Sequence, residues 1–120
     1  MPERLVVEPS GDVIATKVSY ALTLRSRALG LLGEDEAPAS SALVFERAKQ
    51  IHTFGMRFAI DVLFCASDWK VLHVVHGMKP WRMSRIVLRS RFVVELPGGA
   101  AARVVPGDRI RVAGQLERRL

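Results

Sequence analysis

Cysteine is almost absent. Cys65 stands alone in 120 residues, so no intramolecular disulfide can form. The same count excludes a zinc site built on cysteine pairs. Cys65 ends an apolar run and reads as a small buried hydrophobe, because a nucleophile needs a neighbouring base and no motif supplies one. No apolar run approaches the ~20 residues that span a bilayer. The start, Met1-Pro2-Glu3-Arg4-Leu5, lacks the basic region and long apolar core of a secretory signal, which sets a cytoplasmic expectation. No Gly-rich loop follows a strand and opens a helix, which argues against nucleotide folds of that type. Internal repeats and low-complexity segments are missing too.

Acidic residues are missing from one long window. Between Trp69 and Val94 there are six basic residues (Lys70, Lys79, Arg82, Arg85, Arg89, Arg91) and no acidic one. That window alone equals the net charge of the whole chain, +6. A basic face of this kind attracts phosphates, nucleic acid or anionic surfaces without specifying any of them.

What is present is enough for one domain over residues 1–120. The hydrophobic fraction is 49%, and a chain of this length buries a real core without disulfides. Arg4 to Glu8 is short and β-branched, a first strand. Pro9-Ser10-Gly11-Asp12 is a turn cluster, and Val13 to Val18 a second strand, so the two form a hairpin. Leu24, Ala28, Leu31 and Leu32 make one apolar stripe at helical spacing. Thr23 suits the start of that helix and Gly33 the position after its end, which puts one short helix near residues 24–32.

From Ala42 onward the pattern is β. Strands are expected at 42–45, 58–65, 71–76, 92–96, 102–105 and 109–112, with a short extended piece at 51–54. Ser67-Asp68 makes a hairpin of the long apolar strand and the next one. Residues 81–90 follow neither a two- nor a 3.6-residue period. Many short strands with Gly/Pro turns and one helix argue a mainly β fold, a single-domain β-sandwich or partly closed barrel.

The chemistry concentrates in residues 51–64. Polar groups set in so apolar a stretch need partners, since an unpaired buried one costs roughly 1–3 kcal/mol. Asp61 shares a strand face with Ala59, Leu63 and Cys65. It reads either as a structural carboxylate, taking backbone N–H bonds or an arginine such as Arg57 or Arg27, or as a ligand-binding group or general base. His52 is a metal ligand, a proton carrier or a satisfied structural histidine. His73 and His76 lie three apart, which on a strand puts them on opposite faces, so they do not share a metal. Glu95 precedes a Pro-Gly-Gly turn and either caps it or reaches the pocket of Asp61. A carboxylate pair would allow glycosidase-type chemistry only at the right separation. Trp81 beside Lys79, Pro80 and Arg82 either stacks on a sugar or base or lids the end of the sandwich.

Several motifs in order resemble the DUF192 (UPF0127) family of small bacterial and archaeal proteins. They are Arg27-Ala28-Leu29-Gly30-Leu31-Leu32-Gly33, then His52-Thr53-Phe54-Gly55-Met56-Arg57-Phe58-Ala59-Ile60-Asp61, then Pro80, Glu95-Leu96-Pro97-Gly98-Gly99 and Gly107-Asp108. Relatives often carry a basic residue where Glu34 stands and a proline where Ala59 stands. The resemblance covers roughly residues 15–113. It implies a jelly-roll-like β-sandwich and no reaction. Many relatives carry an export or lipoprotein signal.

The favoured expectation is a non-enzymatic domain binding a small polar ligand or protein partner, in a pocket lined by His52, Met56, Arg57, Asp61 and Glu95. No metal and no cofactor are expected for it. One alternative is a metal-assisted hydrolase using His52 and Asp61, which requires a third ligand. Another is an electrostatic binder of nucleic acid or an anionic partner through residues 70–91. The fold class hosts binders, enzymes and structural modules alike.

Overall fold

The computed structural model describes residues 3–21 and 39–114. The expected helix at 24–32 lies outside them. Within them every regular element is a strand: β1 (Arg4–Glu8), β2 (Val13–Ala15), β3 (Lys17–Ala21), β4 (Ser41–Glu46), β5 (Ile60–Cys65), β6 (Val71–Met78), β7 (Phe92–Pro97) and β8 (Arg109–Ala113). They form a three-stranded sheet, β2-β1-β8, and a five-stranded sheet, β3-β4-β7-β5-β6. All neighbours pair antiparallel except β3 and β4, which run parallel.

The two sheets pack face to face. Leu5, Val7 and Ile110 of the small sheet meet Ala42, Val44, Leu63, Cys65, Val94 and Leu96 of the large one in a single buried cluster. At one corner the sheets touch: Val71 N–H donates to Asp108 O at 2.7 Å and Ile110 N–H to Trp69 O at 3.0 Å. They do not close into a barrel.

β5 explains its own sequence. It lies between β7 and β6, and all six of its residues are buried. Leu63 and Cys65 face the inter-sheet core. Ile60, Val62 and Phe64 face a second cluster with Phe45, Ile51, Met56, Met78, Val87 and Val93. A strand covered on both faces reads as a continuous apolar run rather than an alternation. Fully burying a side chain such as Phe64 contributes roughly 1.5–3 kcal/mol.

Several strands run one or two residues longer than expected, and three differences are larger or bear on the site. The run 13–18 is two strands, because the chain leaves the small sheet at Ala15 and enters the large one at Lys17; Thr16 and Lys17 N–H both donate to Ser40 O, at 2.8 and 3.1 Å. β5 starts at Ile60, not at residue 58. Residues 102–105 are not a strand. Successive tight turns replace it, with Ala100 N–H on Pro97 O, Ala102 N–H on Gly99 O and Val104 N–H on Ala101 O. Apolar content at 102–105 reports burial of Val104, and the turn bonds, not the pattern, set its backbone.

Candidate functional site

Asp61 sits on the inner face of the large sheet and is 1% exposed. Its carboxylate accepts three backbone N–H groups: Gly77 on Oδ1 at 2.9 Å, and Gly99 and Ala101 on Oδ2 at 3.1 and 2.8 Å. One side chain thus ties the end of β6 to the turns after β7. Charge-assisted bonds of this kind are the strong ones. His76 continues the network, its Nε2 lying 3.0 Å from Ala101 O. Gly98 lets the turn approach, since a Cβ there would lie 3.3 Å from Ala59 O.

The turns that Asp61 holds form one wall of a cleft of about 300 Å³. Gly99, Ala100, Ala102, Arg103 and Val104 line one side, and Val7, Asp12, Val13 and Ile14 of the β1–β2 hairpin the other. Asp12 and Arg103 are its charged residues. Neither side chain bonds another described residue. No local sequence signal marks this cleft, because residues 102–105 read as a strand and the hairpin as framework.

The other candidates lie across the large sheet. Along β7, Val94 and Leu96 face the inter-sheet core and Val93 faces the outer cluster, so alternation puts Glu95 on the outer face, opposite Asp61. Glu95 is 3% exposed and Met56 2%, while Arg57 is exposed. Met56 belongs to the outer cluster. Four of the five expected residues therefore divide between two faces of one sheet, with Asp61 inside and Met56, Glu95 and the segment of His52 outside, while Arg57 is exposed.

That outer face is crossed by an arm made of two segments, 49–54 and 79–90. Thr53, fully buried, is its hub. Its Oγ1 donates to Lys79 O at 2.6 Å and accepts from Arg82 N–H at 2.9 Å, while its own N–H donates to Arg82 O at 2.8 Å. His52 bridges Met83, as the expected extended piece allows. His52 Nδ1 accepts Phe54 N–H at 3.3 Å, so the neutral ring carries its proton on Nε2. The His52 ring stacks on Phe54 at 4.7 Å, and Phe54 stacks on Trp81 at 6.0 Å. Trp81 is 66% exposed and is not a lid. Trp69 packs instead, stacked on Phe92 at 4.1 Å against the inter-sheet core.

The arm also explains the missing period of residues 81–90. Ser84, Val87 and Ser90 are its buried positions, three residues apart. Ser84 N–H donates to Ile51 O and Val87 N–H to Lys49 O, at 2.9 and 2.8 Å. An extended segment anchored at every third residue matches neither a strand nor a helix pattern.

His73 and His76 occupy opposite faces. His73 lies against the Phe64 ring, at 5.6 Å, while His76 reaches Ala101. Desolvation lowers the pKa of His73, and the Arg85 charge lowers it further. Cys65 is fully buried, and burial, helped by the Asp68 charge, pushes its thiol up to about 12. Such a thiol is inert at neutral pH. Among the described residues no three His, Cys, Asp or Glu side chains converge as a metal site. No helix among them is long and apolar enough to cross a membrane.

The family model for DUF192, described as "Uncharacterized ACR, COG1430", matches residues 5–112. The chain belongs to the DUF192 family. It is 38% identical over 63 residues to the UPF0127 protein PH1112 of Pyrococcus horikoshii, a match covering 51% of this chain and 54% of that protein. The chain thus spans about half the length of this curated relative. Its fold resembles a protein of unknown function from Novosphingobium aromaticivorans DSM 12444, with TM-score 0.75, 22% identity, and coverage of 92% of this chain and 84% of that one. It also resembles a protein from Sinorhizobium meliloti 1021 described as a "putative transcription regulator", with TM-score 0.73, 26% identity, and coverage of 93% and 92%. The Asp61 network lies within the matched region of this DUF192 chain.

Proposed function

We propose that this DUF192 domain is a binding module and that it holds a small polar ligand in the cleft between the β1–β2 hairpin and residues 99–104. One observation carries the reading. The cleft presents an acid and a base, Asp12 and Arg103, across a wall of small residues whose backbone a buried carboxylate fixes in place. Its volume, about 300 Å³, is at the lower end of ligand pockets. Opposed charges favour a ligand with both an anionic and a cationic or donor end. In this reading Asp61 serves by shaping the wall, because it is buried and its two oxygens already accept three backbone N–H groups. His52, Met56 and Glu95 belong to a separate region on the outer face.

The test is an amide-resolved NMR titration with a panel of small zwitterions, amino sugars and neutral sugars. A ligand is expected to shift residues 12–14 and 99–104, and Arg103→Ala or Asp12→Asn to weaken it. Shifts confined to 52–57 and 79–91 would move the site to the outer face. A ligand bound equally well by both variants would end the cleft reading.

A second reading has its own observation. The basic window lies largely on the outer arm, and one structural neighbour is described as a transcription regulator, which favours testing a nucleic-acid role. An oligonucleotide titration at two salt concentrations tests it, since phosphate contacts weaken steeply with salt.

A further inference from the structure

The arm exposes four large apolar side chains within eight residues: Trp81 at 66%, Met83 at 58%, Ile86 at 57% and Leu88 at 77%. Their exposure follows from how the arm is anchored. Ser84, Val87 and Ser90 turn inward, so Met83, Ile86 and Leu88 are left outward beside them. The backbone that carries them is braced. Lys49 Nζ donates to Leu88 O at 2.8 Å and to Ser90 O at 3.0 Å, and Ser90 N–H donates to Val87 O at 2.9 Å. Arg82, Arg85, Arg89 and Arg91 are interleaved with the apolar residues, all exposed. No acidic residue occurs from Trp69 to Val94.

We propose that this arm docks on an anionic lipid surface, with Trp81, Met83, Ile86 and Leu88 entering the interface and the arginines meeting the headgroups. This proposal is independent of the cleft, which lies on the other side of the large sheet. Three features choose lipid over other occupants. Arginine stems lie along apolar surface while their heads stay wet, and tryptophan favours the boundary between apolar and polar phases, which is the composition seen here. A protein interface concentrates charge at its rim and depletes it at its core, whereas here Arg82, Arg85 and Arg89 are interspersed among the exposed apolar groups. Single-stranded nucleic acid needs successive free ring faces. Here Phe54 is stacked between His52 and Trp81, and Ile86 and Leu88 have no ring to offer.

The experiment is vesicle co-sedimentation of the full chain. Vesicles of phosphatidylcholine alone are compared with vesicles of phosphatidylcholine mixed with phosphatidylglycerol, at low and high salt. Binding to the anionic vesicles is expected, with a blue shift of tryptophan emission that Trp81→Phe removes. Arg85→Gln with Arg89→Gln should weaken partitioning about thirtyfold, given the usual worth of two cations near an anionic surface. Ile86→Ser with Leu88→Ser should also weaken it, while both pairs keep the parental melting temperature because all four side chains are exposed. Equal binding to neutral and anionic vesicles, or no binding to either, would overturn the proposal. So would oligonucleotide binding without vesicle binding, or a solution dimer that Leu88→Ser dissociates.

Discussion

Asp61→Asn isolates the central strut of the fold. The native carboxylate accepts Gly77 on one oxygen and Gly99 and Ala101 on the other, at 2.8–3.1 Å. An asparagine fills the same space but has only one oxygen. In its better orientation that oxygen keeps Gly99 and Ala101, and the NH₂ group then faces the Gly77 N–H, donor against donor. One charge-assisted bond is lost, at about 1.5–3 kcal/mol, and the two kept bonds weaken from charged to neutral. The sum is about 2–4 kcal/mol. For a domain of this size that lowers the melting temperature by roughly 10 °C or more. Urea unfolding measures the free energy, and native-state hydrogen exchange locates it. Protection should fall at the amides of Gly77, Gly99 and Ala101 before it falls in the centre of β5. A variant with stability within about 0.5 kcal/mol of the parent, the size of an ordinary surface change, would show that Asp61 is not a strut.

Four further outcomes follow from the same physics. The Cys65 thiol should resist a thiol reagent in the native state and react at once in denaturant, because it is fully buried. Its folded pKa, about 12, lies above its unfolded value of 9.0, so its contribution is complete below pH 9 and drains away as pH rises towards 12. The window is worth about 4 kcal/mol at most, and Cys65→Ala should flatten that part of an alkaline stability curve. Thr53→Val should cost about 1–3 kcal/mol in urea unfolding, because it orphans Lys79 O and Arg82 N–H at the hub of the arm. Arg109→Ala should change stability by under about 1 kcal/mol, since its 3.0 Å pair with Asp68 is exposed on both sides.

Much of the framework was legible because short-range chemistry decides it. The Pro9–Asp12 turn and the Ser67-Asp68 turn each join an antiparallel pair, as their residue types require. The apolar run of β5, interrupted only by Asp61, reads as a strand, and the lone Cys65 as a small buried hydrophobe. The motif residues placed the chain in its family. Asp61, a charge inside that run, announced a partnered carboxylate, though not which partners.

Other features needed the assembled chain. Nothing in Val13 to Val18 says that the backbone leaves one sheet and enters the other, since both halves are equally β-branched. Alternation puts Glu95 and Asp61 on some face, but only the register of β5 against β7, with Asp61 opposite Leu96 and Val62 opposite Glu95, shows that the faces are opposite. The partners of Asp61 lie 16, 38 and 40 residues away along the chain, and no local pattern encodes such distances. The three-residue spacing of Ser84, Val87 and Ser90 is visible in the sequence only once Lys49 and Ile51 are known to lie beside it. Local propensity is written in neighbours along the chain. Which carboxylate meets which amide, and which side of a loop meets water, is decided by contacts between segments that only folding brings together.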